Sequence, residues 1–139
     1  MTNGERPKPL FWVGSSKKDL KDFPLEVRRV MGFALFHAQT GGKHVGAKPL
    51  KGFGGAGVLE VVEDHETSTF RAVDTVKFAG AVYVLHAFQK KSKKGIKTPK
   101  AELDLIRKRL KAAEEHHEKW RAGQAKQKGD DSGAPSRGE

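Results

Sequence analysis

The residues best placed to do chemistry are lysines that follow an apolar, strand-like run. Residues 82–88 are rich in β-formers, and six lysines follow from Lys90 to Lys100 with no acidic residue among them. The apolar run must be buried, so it would hold the lysines at one place on the surface. Ammonium groups held in this way present positive charge to a polyanion at a defined position. The sequence therefore predicts a binding site at the end of this strand.

The distribution of charge also points to a polyanionic partner. The 139 residues include 27 lysines and arginines against 17 aspartates and glutamates, a formal net charge of +10. Residues 123–139 are neutral, so the whole excess lies in the part expected to fold. Acids concentrate in residues 58–66, whereas residues 77–100 contain bases only. Such segregation is typical of a nucleic-acid partner, and a lysine-rich face that serves solubility is the alternative.

The composition limits the class of protein further. The absence of cysteine excludes disulfides and thiolate metal ligands and fits a reducing cytoplasm. No apolar run approaches the roughly 20 residues that span a bilayer, and residues 1–9 lack the apolar core of a secretory signal. The adjacent His116 and His117 cannot both face one metal from a regular helix. We therefore expect a cytoplasmic protein with no metal, no small-molecule cofactor and no membrane partner.

The spacing of apolar residues predicts the element order β-α-α-β-β-β-α, an α+β domain with a mainly antiparallel sheet. The predicted strands are residues 10–13, 58–64, 69–77 and 82–90. An N-terminal helical hairpin covers residues 16–40, a glycine-rich loop residues 41–57, and a C-terminal helix starts at Thr98-Pro99 with an apolar stripe to Trp120. Residues 1–8 are expected to be a flexible arm, 9–122 the domain and 123–139 a disordered tail.

Two polar side chains, Arg71 and His86, lie within the predicted strands 69–77 and 82–90, which are otherwise largely apolar. Strand alternation predicts one face of the third strand made of Val82, Val84, His86, Phe88 and Lys90. The opposite face would be made of Tyr83, Leu85, Ala87 and Gln89. Because both faces are largely apolar, we expect this strand to be internal to the sheet.

The element order and the lysine-rich stretch resemble the RelE/ParE toxin superfamily and, within it, the phage-derived HigB-like branch. That branch has an apolar strand with Leu-His-x-Phe, a lysine pair, a short polar spacer, and Thr-Pro before a helix. The matching residues are Leu85, His86, Phe88, Lys90, Lys91, Thr98 and Pro99. Phe70-Arg71 and Lys48-Pro49-Leu50 resemble further motifs, and the resemblance covers about residues 9–120. Two departures are a longer spacer at residues 92–97 and an acid, Asp74, in a strand that is usually more aromatic.

The resemblance implies a RelE-like fold and the toxin of a type II toxin–antitoxin system. Such a toxin is an endoribonuclease that cuts messenger RNA, usually on the ribosome, until a cognate helix-turn-helix antitoxin binds it. RNA can be cleaved without a metal when its 2'-OH attacks the adjacent phosphate in line. The enzyme must then orient the backbone, stabilise the developing charge and manage two protons.

On this resemblance, catalytic roles are expected for four residues. Arg71 would clamp the phosphate through its guanidinium fork, and Lys90 and Lys91 would neutralise developing charge. His86 would act as general acid or base, since an imidazole has an ordinary pKa of about 6.5. The lysines expected to contact RNA are Lys48, Lys51, Lys93, Lys94 and Lys97.

Each of these expectations has an alternative. His86 could be a hydrogen-bonded core histidine, and Arg71 could pair with Asp74 or Glu60. For the whole protein, the alternatives are a ParE-like toxin that acts on gyrase without nuclease activity, and a non-enzymatic nucleic-acid-binding domain. The segregated lysines favour RNA over gyrase, because a protein target does not require so many of them.

Overall fold

The computed structural model of the chain describes residues 6–42, 46–54, 57–91 and 98–133, with side chains described as far as residue 126. Three helices and five strands lie within these ranges. In chain order they are β1 (Leu10–Trp12), α1 (Ser16–Lys21), α2 (Leu25–Gln39), β2 (Ala47–Pro49), β3 (Val58–His65), β4 (Ser68–Thr75), β5 (Val82–Lys90) and α3 (Lys100–Gly133).

The strands form one mixed sheet in the order β1-β5-β4-β3-β2. Strands β2 to β5 pair antiparallel, which the tight connections between them allow. Strand β1 pairs parallel with β5, because the intervening chain crosses over through the helices and returns in the same direction. Strand β5 therefore has a neighbour on each side, as its two apolar faces predict.

Helices cover both faces of this sheet. On one face, Met31 of α2 packs in a cluster with Ala72 and Val84. On the other, Ile106 of α3 packs in a second cluster with Val73. Consecutive residues of β4 thus belong to opposite clusters, as the two-residue period of a strand requires. We call the side covered by α1 and α2 the α2 face, and the side covered by α3 the α3 face.

Strand β5 departs from regular alternation at Leu85. Val73 pairs with His86 and Asp74 pairs with Val84, so Leu85 is an extra residue in β5, a β-bulge. Leu85 packs in the α3-face cluster, and His86 contacts α3 as well. The prediction that Val84 and His86 share a face is therefore wrong, because the bulge reverses the alternation between them: Val84 lies on the α2 face and His86 on the α3 face.

Two segments differ from the predicted element order. Strand β2 lies inside the predicted glycine-rich loop, because three residues are too few to show alternation, and pairing with the edge of β3 holds them extended. Helix α3 continues to Gly133, through part of the segment 123–139 for which the composition favours disorder. No proline interrupts the chain between Pro99 and Gly133, and the intervening alanine, glutamine and lysine residues are good helix formers.

Helix α3 has 34 residues, enough to cross a bilayer by length alone, but it is strongly charged along that length. Within the described ranges, no helix is both long enough and apolar enough to cross a membrane.

Candidate functional site

The polar residues that the sequence singles out gather on the α3 face. Residues paired across neighbouring strands point to the same side of a sheet. The strand register pairs Lys48 of β2 with Glu60 of β3. The residue of β4 that pairs with Glu60 pairs in turn with His86 of β5, so these side chains lie on one side of the sheet. Arg71 lies two residues before that position in β4, and Lys90 lies four residues after His86 in β5, so both point to the same side. The α3 face therefore brings together four predicted site residues from three strands: Lys48, Arg71, His86 and Lys90.

Arg71 is buried in an ion pair on this face. Its Nη1 donates to Glu60 Oε2 at 2.8 Å and to Thr98 Oγ1 at 3.3 Å. The Thr98 hydroxyl donates to the same carboxylate oxygen at 2.9 Å. The side chains of Arg71 and Glu60 are only 6% and 13% exposed. Of the two carboxylates considered as partners, Arg71 contacts Glu60, while Asp74 lies on the α2 face beside Val84.

His86 is held in a second pair, with a carboxylate of α3. Its Nε2 lies 2.6 Å from Glu102 Oε1, and its Nδ1 lies 3.4 Å from Arg109 Nη1. The imidazole also stacks on Phe88, with ring centroids 4.8 Å apart. Since the His86 side chain is 7% exposed, it is a hydrogen-bonded histidine at the junction of sheet and helix.

The lysines of the site differ in exposure. Lys90 is half-buried at the end of β5, whereas Lys91, Lys48 and Lys51 are exposed. The turn that follows Lys51 packs against α3, because the Arg107 guanidinium lies 5.1 Å from the centroid of the Phe53 ring. Three further lysines predicted to contact RNA lie outside the described residues: Lys93, Lys94 and Lys97.

Comparison with protein families shows which family the chain comes from. Residues 18–111, well over half of the chain, match the family described as phage derived protein Gp49-like (DUF891). The chain belongs to this family. The Gp49-like family is a RelE/HigB-type toxin family. The chain is therefore a member of a family of toxins from toxin–antitoxin systems. The matched residues include both pairs described above, Arg71 with Glu60 and His86 with Glu102.

Among solved structures, the Gp49-like chain is similar to the toxin–antitoxin complex RelBE2 from Mycobacterium tuberculosis. The two share 15% identity, the match covers 62% of this chain and 94% of that chain, and the TM-score is 0.40. No curated protein matches the Gp49-like chain.

Three residues of the site belong to no recognised motif: Glu60, Glu102 and Arg109. The sequence could have indicated two of them, because Glu102 and Arg109 are seven residues apart and therefore lie on one side of α3. Thr98 lies just before α3, although the sequence predicts that the helix starts at Thr98-Pro99. The helix begins at Lys100, with Leu103 N donating to Pro99 O, and the Thr98 hydroxyl bonds to Glu60 instead.

The histidine pair of α3 is engaged in packing against the sheet. His116 Nδ1 lies 2.6 Å from the Tyr83 hydroxyl, and His117 Nε2 lies 2.8 Å from the Ala79 carbonyl oxygen. Burial raises the pKa of the Tyr83 hydroxyl, so it remains protonated. In the part of the chain that the structure describes, no group of three His, Asp or Glu side chains could hold a metal ion together.

Proposed function

We propose that this Gp49-like chain is the toxin of a type II toxin–antitoxin system and a metal-independent endoribonuclease that cuts messenger RNA on the ribosome. Family membership supports the toxin assignment. The observation that supports the nuclease best is the gathering of Lys48, Arg71, His86 and Lys90 on the α3 face. A cationic face of this kind binds a phosphate backbone and can stabilise charge that develops during cleavage.

Each predicted site residue has a proposed part in the reaction. Lys90 and Lys91 neutralise the charge that develops on the phosphate, and Lys48 and Lys51 contact the neighbouring backbone. Lys93, Lys94 and Lys97 contact RNA further along. Arg71 contributes positive charge from its buried position on the α3 face. Because its Nη1 donates to Glu60 and Thr98, a direct phosphate clamp would require displacement of Glu60. His86 manages protons through the hydrogen bond with Glu102.

A second candidate function is nucleic-acid binding without cleavage. The specific observation in its favour is that Arg71 and His86, two of the four residues expected to be catalytic, are both buried against carboxylates. Phosphate contacts from lysines alone give affinity and no chemistry. The two functions differ in one measurable respect, namely whether bound RNA is cut.

The test is incubation with translating ribosomes and messenger RNA, followed by mapping of the RNA ends. The wild type is expected to cut the RNA and to halt growth when expressed. Lys90→Ala should lower cleavage by about 10²–10³-fold, the typical loss when one charge stabiliser is removed. Lys111→Ala, which removes an exposed lysine further along α3, is the matched control and should cleave like the wild type.

The outcomes separate the two candidate functions. Intact RNA together with normal growth would overturn the nuclease. RNA that is bound but uncut would favour the binding domain. Equal cleavage by the wild type and by Lys90→Ala would support the nuclease and show that Lys90 does not take part in cleavage.

The partners follow from the same proposal. A cytoplasmic toxin of this kind acts on messenger RNA at the ribosome and is neutralised by a cognate helix-turn-helix antitoxin. Co-expression of a small helix-turn-helix protein encoded next to this chain should restore growth and co-purify with it. A neighbouring gene product that neither restores growth nor co-purifies with the chain is not its antitoxin.

A further inference from the structure

His86 is closed to direct proton exchange with a substrate. Its Nε2 lies 2.6 Å from Glu102 and its Nδ1 lies 3.4 Å from Arg109, so both ring nitrogens have partners. Phe88 stacks on the ring, and the side chain is 7% exposed. A general base must come within hydrogen-bond reach of the proton that it removes. The imidazole does not meet this requirement, so another group has to contact the RNA.

The partners of the imidazole determine its tautomer. A guanidinium has only donors, so the ring nitrogen that faces Arg109 must offer a lone pair. Nδ1 is therefore unprotonated, and Nε2 carries the hydrogen and donates it to Glu102. Arg109 is itself held in place, since Nη1 donates to the Leu85 carbonyl at 3.0 Å and the guanidinium lies against Gly14. An added Cβ at Gly14 would come within 2.8 Å of the guanidinium carbon.

Glu102 is the carboxylate of this hydrogen-bonded chain and is partly exposed to solvent. Its side chain is 31% exposed, and among the described residues only Oε1 has a hydrogen-bond partner. Glu102 lies in the first turn of α3, where the helix dipole favours a carboxylate. The other carboxylate of the site is less suitable, because Glu60 is 13% exposed and its Oε2 already accepts from Arg71 and Thr98.

We propose that Glu102 is the proton acceptor for RNA cleavage, and that His86 and Arg109 are its positioning residues. This inference rests on the endoribonuclease proposed above. Arg109 fixes the tautomer of His86, and the Nε2–H of His86 fixes one carboxylate oxygen of Glu102. The second oxygen, Oε2, is then presented to the surface in a defined orientation.

The reaction balances with groups on the α3 face. Glu102 Oε2 takes the proton of the RNA 2'-OH while the 2'-oxygen forms a bond to phosphorus. The bond between phosphorus and the 5'-oxygen breaks, and the departing oxygen takes a proton from the ammonium group of Lys90. The products are a 2',3'-cyclic phosphate and a 5'-hydroxyl end. Proton exchange with water then returns Glu102 and Lys90 to their starting forms.

The first test replaces the carboxylate by an amide of the same size. Glu102→Gln can still accept the hydrogen bond from His86 but cannot take a proton, so kcat is expected to fall by about 10²–10⁴-fold. RNA affinity and the midpoint of thermal unfolding should stay at the wild-type values. Glu115→Gln, which changes an exposed acid elsewhere on α3, is the matched control and should cleave like the wild type.

The second test asks whether His86 acts through Glu102. His86→Ala removes a hydrogen bond to the ionised carboxylate, so the acid limb of the pH–rate profile should move to higher pH. His86→Gln, which keeps an N–H donor, should move the limb less and retain more activity. In wild-type protein, ¹⁵N NMR of the imidazole should show a neutral ring protonated at Nε2.

The outcomes separate this inference from the function on which it rests. If the wild type cuts RNA and Glu102→Gln cuts it within about threefold of the same rate, the nuclease stands and Glu102 is not its base. If the wild type cuts no RNA, the proposed function and this inference fail together. A proton on Nδ1 of His86, or an unmoved acid limb in His86→Ala, would overturn the positioning role.

Discussion

The two faces of the sheet treat buried charge in opposite ways. On the α3 face, Arg71 lies 2.8 Å from Glu60 and His86 lies 2.6 Å from Glu102. On the α2 face, Asp74 is 4% exposed, and within the described part of the chain its Oδ2 accepts no hydrogen bond. Its cross-strand neighbours there are Leu59 and Val84, which are apolar. The α3 face supplies carboxylates for Arg71 and His86, whereas the cross-strand neighbours of Asp74 offer it no hydrogen-bond donor side chain.

The difference shows in protonation. Burial without a counter-charge raises the pKa of the Asp74 carboxyl from 3.8 to about 7, because the ionised form loses its hydration. The α2 face therefore accommodates its acid by binding a proton. The α3 face accommodates its acids with guanidinium, imidazole and hydroxyl donors, so polar groups remain in place beneath an accessible surface. Of the two faces, as far as the described residues go, the α3 face is therefore better suited to a charged ligand.

The largest expected effect comes from breaking the Arg71–Glu60 pair. Glu60→Ala leaves the Arg71 guanidinium buried without its carboxylate, so the free energy of unfolding should fall by about 3–5 kcal/mol. Urea unfolding monitored by circular dichroism measures the loss. An exposed acid of α3, Glu118, supplies the control: Glu118→Ala should cost under about 0.5 kcal/mol.

Replacing the pair should have a different effect from breaking it. The double variant Glu60→Leu with Arg71→Met removes both charges and keeps apolar volume, so its stability should lie within about 1 kcal/mol of the wild type. Nuclease activity in this variant reports whether Arg71 has a role beyond packing. A double variant as unstable as Glu60→Ala would mean that loss of the pair itself, rather than the charge of Arg71 left without Glu60, accounts for the lower stability.

The next effect is on the α2 face and depends on pH. The folded state binds the Asp74 proton more tightly than the unfolded state, so stability is lost as pH rises from 3.8 to about 7. The full loss, present above that range, is on the order of 4 kcal/mol. Asp74→Asn cannot ionise, so it should be more stable than the wild type by about 2–4 kcal/mol at about pH 8.5 and by much less at about pH 4.5.

Thermal unfolding of both proteins across this pH range tests the difference. Asp22→Asn, at the exposed end of α1, is the control and should show no such trend. A stability difference between Asp74→Asn and the wild type that stays constant with pH would mean that the folded and unfolded states bind the Asp74 proton equally tightly.

Local pattern was sufficient to predict most of the fold. The apolar run of β5 and the stripe of α3 each bury a continuous surface, so their periods appear in the sequence. Strand β2 has only three residues, and its extended conformation depends on pairing with β3, which no local pattern encodes. The bulge at Leu85 also depends on pairing with β4, and it places His86 on the opposite face from Val84, with which regular alternation would group it.

The site was predictable only in part, for a similar reason. Arg71, His86 and Lys90 stand out because they are polar residues in or beside apolar strands. Their partners are distant in sequence, since Glu60 is 11 residues from Arg71 and Glu102 is 16 residues from His86. Ordinary acids in ordinary positions become site residues only when the sheet and α3 are assembled.

The smallest expected effect concerns an ion pair on the outside of α3. Asp104 lies 3.1 Å from Lys100 and 3.3 Å from Arg107, so it has two cationic partners, but its side chain is 54% exposed. Water already solvates these groups, so Asp104→Asn should cost under about 0.5 kcal/mol and the cost should disappear in about 1 M salt. Glu60 also has two donors, and its loss should cost several times more. Equal losses for the two acids in urea unfolding would show that the number of partners, rather than burial on the α3 face, determines what an acid contributes.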